Sequence, residues 1–501
     1  MKQRITYIVR NADTFSPEQL DVKESSIKLK QVKATKERRV TLGLGELPDE
    51  LAKSLEQWHE LHIRWASSYN YNSTPPFTSR VTPGLHVFFT PRKHEPQGDI
   101  CGLLHSTFGP GLKCNSTSEA ATKLPILSER FSMSASSQYY SYVPSLGRFS
   151  SYVREKVYEK CRKCSDDEVD EVAELLEADY VDVDYDAISH AVVINAFYST
   201  APTDDASWTE TIRPPRKGQP VEVGVLTHEK IPDPEDIGFG GFLTVLGQDT
   251  APKPTRFQTP TRHYPLPAPA LTYTTSFPPP TGLHPTLTLT FSSPPTPPDP
   301  TCKLHTHLTL PSYLLLDKYQ FTDPLSLTSH NLKSLRSIAG ATDLEAPDWV
   351  VPQWGSAALF ELAVPISKAS AARKDAMWNV TIPLHLRYLP AAHSSHTRVP
   401  APWPVVFWAC RAEEGSKMAV NPFDRLHLGY EGLFGPRTRF MHVGPAGKEE
   451  LVEWIDVPVL DLGRTRWVEE GTVGVVLVAF LGLCWVLFGK GGGEEGKEKQ
   501  G

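Results

Sequence analysis

The sequence lacks the local signatures of the common enzyme classes. It contains no His-Glu-x-x-His metal-binding motif, no Gly-x-Ser-x-Gly nucleophile turn, no phosphate-binding P-loop and no Rossmann glycine fingerprint. A hydrolase or a nucleotide-dependent enzyme therefore has no recognisable motif among these 501 residues. We expect a protein with no catalytic residues, no metal and no cofactor.

Two further absences narrow the class of protein. The net charge of −7 is modest, and the lysines and arginines are scattered rather than clustered into a basic patch that could follow a phosphate backbone. This distribution argues against nucleic acid as a partner. The first fifteen residues lack the uninterrupted apolar run of a cleavable signal peptide, because Arg4, Arg10 and Asn11 break it.

Proline is abundant instead, and its distribution divides the chain. The 45 prolines are nearly twice the usual share of roughly 5%, and fifteen of them fall in residues 251–300, as in a linker or an extended insertion. A chain of this length exceeds what one core usually organises. The predicted regions are an N-terminal α+β domain (1–245), a proline-rich linker or insertion (246–300), a β-rich domain (301–468), a transmembrane helix (471–489) and a tail (490–501).

Two stretches of the first half have the spacing of helices. In residues 47–65, Leu51, Leu55 and Trp58 recur at intervals of three and four and form one apolar stripe. A second helix is expected to follow Ser165, a suitable N-cap whose acidic first turn favours the helix dipole.

The second half alternates apolar and polar residues like strands. Pro383 indicates an edge strand, and the continuous apolar run at 405–410 suits a central one. Residues 286–291 could form one strand within the proline-rich stretch. The fold class predicted is mainly β (α+β), with lumenal β-sandwich-like domains and a single C-terminal transmembrane helix. In the strand from Asn379, the inward side chains are Val380, Ile382, Leu384, Leu386 and Tyr388, and the outward ones are Asn379, Thr381, Pro383, His385 and Arg387.

Residues 472–488 contain no charge and cover roughly 26 Å of a 30 Å hydrocarbon core. Asn72, Asn115 and Asn379 each begin an Asn-x-Ser/Thr sequon, which is used on the lumenal side. Lys497 and Lys499 resemble a cytoplasmic dilysine signal for return to the endoplasmic reticulum. Together they predict a lumenal body, one membrane helix and a short cytoplasmic tail.

Three polar constellations have both a functional and a structural interpretation. His305 and His307 share one strand face and could bind a metal, but no third ligand is evident, so a solvated or hydrogen-bonded pair is favoured. Asp182-Val183-Asp184 matches the D-x-D triplet of many glycosyltransferases, yet it lies in an acidic run without a nucleotide-binding unit. Cys161 and Cys164 favour a structural disulfide or free thiols over a zinc site, because no second pair completes one.

A glycine-rich, aromatic loop at 421–440 offers a partner surface. Arg437 and Arg439 within it could meet a carboxylate or a lipid phosphate. A corner of the sandwich held by intrachain ion pairs explains the same residues equally well.

Four stretches in this order resemble one family. "HTHLTLPSYLLLDKYQF", "WNVTIPLHLRYLP", "PVVFWAC" and "NPFDRLHLGYEGLFGPRTRF", followed by a single C-terminal span, are similar to the PIG-X family. The resemblance covers roughly residues 300–490. The first half, with "MKQRITYIVR" and "WHELHIRW", resembles the longer fungal Pbn-type members.

The resemblance implies a non-catalytic subunit of the first mannosyltransferase of glycosylphosphatidylinositol (GPI) anchor synthesis, in the endoplasmic reticulum membrane. The implied partner is the polytopic catalytic subunit, which uses dolichol-phosphate-mannose. Fungal members are also linked to the folding or stability of other lumenal proteins, so a lumenal chaperone is an alternative. Asp317, Lys318 and Tyr319 are candidate partner contacts beside Arg437 and Arg439.

Overall fold

A computed structural model gives the architecture of the chain. It describes residues 1–501 except 73, 76, 78–79, 93–97, 125–134, 159–171, 215–218, 231–235, 250, 344–345, 366–376, 413–429, 431, 436 and 489–501. Strands dominate, and the longest helix is the C-terminal one, so the mainly β class with one C-terminal apolar helix is confirmed.

The first half is built on an eleven-stranded sheet in the order β14-β13-β12-β1-β4-β10-β9-β5-β6-β8-β7, with a smaller β11-β3-β2 sheet. Most neighbours are antiparallel, and β1 and β12 are parallel. Apolar side chains of the helices pack with the sheet in one core. The strands are β1 (Lys2–Val9), β2 (Leu20–Lys23), β3 (Ser26–Leu29), β4 (Ala34–Gly43), β5 (Trp58–Ala66), β6 (Gly84–Pro91), β7 (Thr122–Lys123), β8 (Ser137–Ser141), β9 (Tyr180–Asp186), β10 (Ala191–Tyr198), β11 (Thr211–Ile212), β12 (Val221–Glu229), β13 (Asp236–Leu246) and β14 (Lys253–Pro260), and the helices are α1 (Asp49–Leu55), α2 (Ile100–Phe108), α3 (Thr117–Ala120) and α4 (Gly147–Val153).

The second half is a sandwich of smaller sheets. A five-stranded sheet (β19-β20-β17-β24-β25) and a four-stranded sheet (β21-β16-β15-β26) share one apolar core, beside the pairs β18-β22 and β23-β27. The elements are β15 (Thr272–Ser276), β16 (Thr286–Phe291), β17 (Lys303–Pro311), β18 (Leu314–Leu315), α5 (Pro324–Ser329), β19 (Leu332–Gly340), β20 (Gly355–Leu362), β21 (Trp378–Pro383), β22 (His385–Leu386), β23 (His396–Pro402), β24 (Val405–Arg411), β25 (Thr438–His442), β26 (Gly444–Pro445), β27 (Val452–Pro458) and α6 (Thr465–Phe488).

The helix expected over 47–65 is wrong beyond its first turns. Helix α1 ends at Leu55, and Trp58–Ala66 is strand β5, paired with both β6 and β9. Leu61, Ile63 and Trp65 alternate along this strand and are buried in the core. Two ladders of backbone hydrogen bonds and a buried face outweigh the local helical spacing. Of the second predicted helix, residues 165–171 lie outside the described ranges, residues 172–174 are α-helical and Leu175–Glu177 form a 3-10 turn.

The proline-rich stretch contains three strands and is therefore not an unstructured linker. Strand β14 closes one edge of the large sheet, whereas β15 and β16 belong to the second half. The strand expected at 286–291 is confirmed as β16. The prolines fall mostly between these strands, where a missing N–H costs no ladder hydrogen bond.

The edge and central strands are confirmed, but the alternation beyond Leu386 is wrong. β21 lies at the edge of its sheet and β24 lies inside its sheet. Arg387 was expected outside and is buried, whereas Tyr388 was expected inside and is exposed. The strand ends before them, and the Arg387 guanidinium donates to the backbone carbonyls of Ser312 (3.0 Å) and Ala346 (2.7 Å).

The two halves pack against each other through a shared apolar cluster. Tyr180 and Phe197 from the large sheet join Phe407, Phe434 and others from the second half. Trp354 reinforces the contact, because its indole N–H lies 3.0 Å from the Thr122 hydroxyl and 3.1 Å from the Gln138 carbonyl. The β sandwich is therefore held against the large sheet by core-like packing.

Candidate functional site

The C-terminal helix is the most distinctive functional element. The candidate span Leu462–Phe488 contains an 18-residue window with a mean hydropathy of 2.4, and α6 within it buries no side chain. Its 24 residues extend roughly 36 Å at the helical rise of 1.5 Å. Such a helix is long and apolar enough to cross a membrane once, and water is an unfavourable surrounding for its uncharged residues 471–488.

The predicted contacts Asp317, Lys318 and Tyr319 form a turn after β18. The Asp317 carboxylate accepts a hydrogen bond from the Tyr319 N–H at 2.9 Å, so this aspartate shapes the turn. The Lys318 ammonium lies 5.1 Å from the centre of the Tyr319 ring. Lys318 and Tyr319 are exposed, and they remain predicted partner contacts.

Arg437 and Arg439 lie on either side of one position at the start of β25, in different surroundings. Arg439 lies 3.0 Å from the Asp299 carboxylate and close to the Tyr264 ring, so its charge is balanced within the chain. Arg437 is exposed at a cleft beside β17 and β24. The two arginines remain predicted contacts, with Arg437 the more accessible.

This cleft has a basic rim that the sequence did not reveal. Lys303, Arg336 and Arg411 join Arg437 around it, with Leu433 and Phe434 on its wall. These four residues come from four separate strands or turns, so no local sequence pattern predicts that they form one basic cluster. The arrangement suits contact with an anionic group of a partner.

The Glu361 carboxylate also lines the cleft and offsets part of the positive charge of its rim. It is buried, with the Lys333 ammonium at 3.0 Å, the Arg336 guanidinium at 3.8 Å and the Lys303 ammonium at 3.9 Å. Burial alone would raise the pKa of Glu361, but the hydrogen bond from Lys333 and the charge of Lys303 outweigh burial and lower it. Glu361 is therefore an anion that holds the cations in place.

Both carboxylates of the D-x-D triplet have side-chain partners inside the large sheet. Asp182 faces Arg64 directly across the β5-β9 ladder, and the guanidinium donates to both carboxylate oxygens. Asp184 faces His62 in the same ladder and contacts its ring Nδ1. Burial alone would lower the pKa of Arg64, but the Asp182 carboxylate outweighs it and raises the pKa. Carboxylates so engaged are poorly placed to hold a nucleotide-sugar cation.

The two strand histidines are buried, so the expectation of a solvated face is wrong. The face of β17 that carries them packs against aromatic side chains: the His305 ring stacks on Phe407, and the His307 ring meets Tyr430 edge-on. His305 Nδ1 lies 3.0 Å from the Lys303 carbonyl, as the hydrogen-bonded alternative predicted. Burial lowers the pKa of His305 to about 4 and that of His307 to about 3.

Four cysteines form two disulfides, Cys101–Cys114 and Cys302–Cys410. Asp299 lies beside the second pair, but disulfide sulfurs do not supply the thiolates that a metal site there would need. Cys484 is a free thiol in α6. The predicted pair Cys161 and Cys164 lies outside the described residues.

The asparagines of all three sequons are exposed. Asn379 lies on the edge strand β21, and Asn115 follows the Cys101–Cys114 disulfide. The Thr117 hydroxyl of the second sequon is buried and donates to the Gly98 carbonyl at 2.7 Å. The predicted retrieval signal with Lys497 and Lys499 lies outside the described residues.

A family model described as PIG-X / PBN1 matches residues 280–488. Protein pbn1 of Emericella nidulans is 46% identical to this chain over 511 aligned positions, which cover 97% of this chain and 95% of the relative. Protein pbn1 of Neurospora crassa is 40% identical, over 98% of this chain and 95% of the relative. Protein PBN1 of Saccharomyces cerevisiae is 28% identical over 213 positions, 42% of this chain and 44% of the relative.

Proposed function

This chain belongs to the PIG-X / PBN1 family, and from that premise we propose that it is a non-catalytic, stabilising subunit of GPI mannosyltransferase I. In that role it holds the polytopic catalytic subunit that transfers the first mannose from dolichol-phosphate-mannose to the anchor precursor. The observation that carries the proposal is α6, an apolar helix with no buried side chain. A multispanning enzyme offers such a helix a surface of other membrane helices.

The proposed topology places the body in the lumen of the endoplasmic reticulum and the C-terminus in the cytoplasm. The exposed asparagines of the three sequons and the disulfides support an oxidising, glycosylating compartment for the body. Lys497 and Lys499 would then act as a retrieval signal on the cytoplasmic side.

The pairing of Asp182 with Arg64 and the contact of Asp184 with His62 argue against the glycosyltransferase alternative. The carboxylate of Asp182 is buried and already neutralised by Arg64, so freeing it for a metal would leave a buried cation unpaired. The chaperone alternative predicts many weakly bound clients rather than one constant partner.

The test is purification of the full chain with its partners after crosslinking in membranes. We expect one multispanning protein at a stoichiometric amount, and depletion of this chain should lower the steady-state level of that protein. A collection of substoichiometric glycoproteins would favour the chaperone alternative, and an unchanged enzyme level with normal anchor synthesis would refute the subunit role.

A helix exchange separates the role of α6 from that of the body. Residues 472–488 are replaced by an alternating leucine-alanine span of the same length, which keeps the membrane attachment and removes the native helix surface. We expect the level of the catalytic partner to fall as it does on depletion. Normal partner levels with the exchanged helix would mean that the body alone provides the contact.

A further inference from the structure

We propose that the chain contacts the membrane a second time, through an exposed apolar edge of its folded body that rests among the lipid headgroups beside α6. The apolar edge consists of five exposed side chains, Trp349, Val350, Tyr388, Leu460 and Leu462. The proposal rests on α6 crossing the membrane, which is part of the proposed function, and adds a contact that the crossing itself does not require.

The body is tied directly to the start of α6. The Val459 N–H donates to the Ser395 carbonyl at 2.9 Å, and the Ala392 N–H donates to the Leu460 carbonyl at 3.1 Å. The Leu462 N–H donates back to the Ala392 carbonyl at 2.8 Å. A 3-10 turn, Leu462–Arg464, then runs straight into α6. The position of the helix therefore fixes the position of this edge of the body.

The spacing along α6 puts this edge at headgroup level. The uncharged part of the helix begins at Gly471, and the polar turns from Thr465 to Gly471 rise only about 9 Å. The headgroup layer on each side of the hydrocarbon core is roughly 5–8 Å thick. Ala392, Leu460 and Leu462 thus lie where lipid headgroups meet water.

The remaining members of the apolar edge are joined to it through Asp348. The Asp348 N–H donates to the Tyr388 carbonyl at 3.0 Å, four residues before Ala392. The Asp348 carboxylate also accepts from the Ser312 hydroxyl at 2.6 Å and from the Lys113 ammonium at 3.1 Å. These bonds hold the 3-10 turn Asp348–Val350 in place while Trp349 and Val350 point into solvent.

The composition of the apolar edge favours lipid as its occupant. Tryptophan and tyrosine concentrate at membrane–water interfaces, where an apolar ring and a polar group are both accommodated. Arg464 and Arg466 are exposed at the same level and lie 3.7 Å from Asp461 and 2.8 Å from Glu470. Exposed ion pairs of this kind are weak, so both guanidinium groups can also meet lipid phosphates. Trp467 is 78% exposed on the first turn of α6 and continues the aromatic belt.

The test uses the full chain alone, reconstituted into phosphatidylcholine vesicles that contain a phosphatidylcholine with a photoactivatable diazirine close to the glycerol. After illumination, labelled peptides are mapped by mass spectrometry. We expect label in α6 and, several-fold above background, in the peptides that contain Trp349 and Tyr388. The peptide with Ile188, which is 81% exposed in the turn between β9 and β10, is the background control.

Label in α6 with Trp349 and Tyr388 no higher than Ile188 would overturn the proposal and leave the membrane helix intact. The same result, followed by protection of Trp349 from a water-soluble footprinting reagent when the catalytic partner is added, would assign the apolar edge to that partner instead. Absence of label from α6 itself would overturn the single-span topology and this proposal with it.

Discussion

Arg64 and Asp182 face each other across adjacent strands of the large sheet, both almost fully buried, with the guanidinium bound to both carboxylate oxygens. The Arg64 guanidinium also lies 4.2 Å from the centre of the Tyr180 ring. The first carboxylate of the D-x-D triplet, which in sequence resembles a metal ligand, therefore belongs to a structural ion pair with Arg64.

We expect Asp182→Ala to destabilise the protein by about 3–5 kcal/mol, because it leaves the Arg64 charge buried and unpaired. Chemical denaturation monitored by circular dichroism measures the change. Asp184→Ala is the matched control, since the Asp184 side chain is 40% exposed and its loss should cost far less. Equal losses of stability in the two variants would show that burial of the Arg64–Asp182 pair does not determine its contribution to stability. A folded Asp184→Ala protein that fails to support anchor synthesis would instead indicate a catalytic role for the triplet.

Acid should destabilise the protein through its buried histidines. Burial lowers the pKa of His86 to about 4 and those of His307 and His442 to about 3, from 6.5. Below about pH 6.5 the unfolded chain takes up protons that the folded chain refuses, so the free energy of unfolding falls by about 1.4 kcal/mol per pH unit for each histidine until the folded pKa is reached.

Denaturation curves between pH 7 and pH 4 measure this slope. His307→Phe removes one buried titrating group and should flatten the slope by that amount. A slope that is unaffected by His307→Phe would contradict the assignment.

The two disulfides should contribute unequally. Cys302–Cys410 closes a separation of 108 residues and Cys101–Cys114 one of 13. Loop entropy predicts a loss of about 5 kcal/mol for Cys302→Ser with Cys410→Ser, and about 3 kcal/mol for Cys101→Ser with Cys114→Ser. Thermal unfolding of the two double variants gives the order, and the reverse order would refute an origin in the unfolded chain.

Trp354 should anchor the two halves to each other. Trp354→Ala removes a buried indole that hydrogen bonds across the contact and meets the Tyr140 ring edge-on, so we expect a loss of about 3–5 kcal/mol. Trp349→Ala, five residues earlier at an exposed site, controls for the loss of a tryptophan. Protease sensitivity should rise between the halves in the first variant alone.

Glycosylation should follow the local structure of the sequons. We expect Asn379 to be the most completely modified, because it is exposed on an edge strand, and Asn115 the least, because the Thr117 hydroxyl is buried once the region folds. Glycosidase treatment of Asn72→Gln, Asn115→Gln and Asn379→Gln compares the sites. A wholly unglycosylated chain made in membranes, with a protected tail, would contradict the proposed orientation.

The sequence predicted the elements whose patterns are local and strong. The uncharged run of α6, the apolar strand β24 and the edge position marked by Pro383 all appear in the structure as expected. The family could also be recognised, because its motifs are continuous stretches of the chain. The candidate partner contacts and the domain boundaries remain predictions.

Hydrophobic periodicity predicted the wrong structure where contacts between residues distant in the sequence determine the backbone conformation. The helix predicted over 47–65 gives way to strand β5 at Trp58, because β6 and β9 bind both edges of this strand. Arg387 alternates outward in sequence, but the chain leaves its strand and surrounds the guanidinium with carbonyls.

By itself the sequence determined the fold class, the apolar C-terminal helix and the family, since hydrophobic pattern and continuous motifs are properties of neighbouring residues. Only the tertiary structure decided that the D-x-D carboxylates pair with Arg64 and His62, that His305 and His307 are buried against aromatic side chains, and that the segments carrying the exposed Trp349 and Tyr388 are hydrogen-bonded to each other. Each of these depends on side chains brought together from distant positions, and the free energies of burial and ion pairing arise only once they meet.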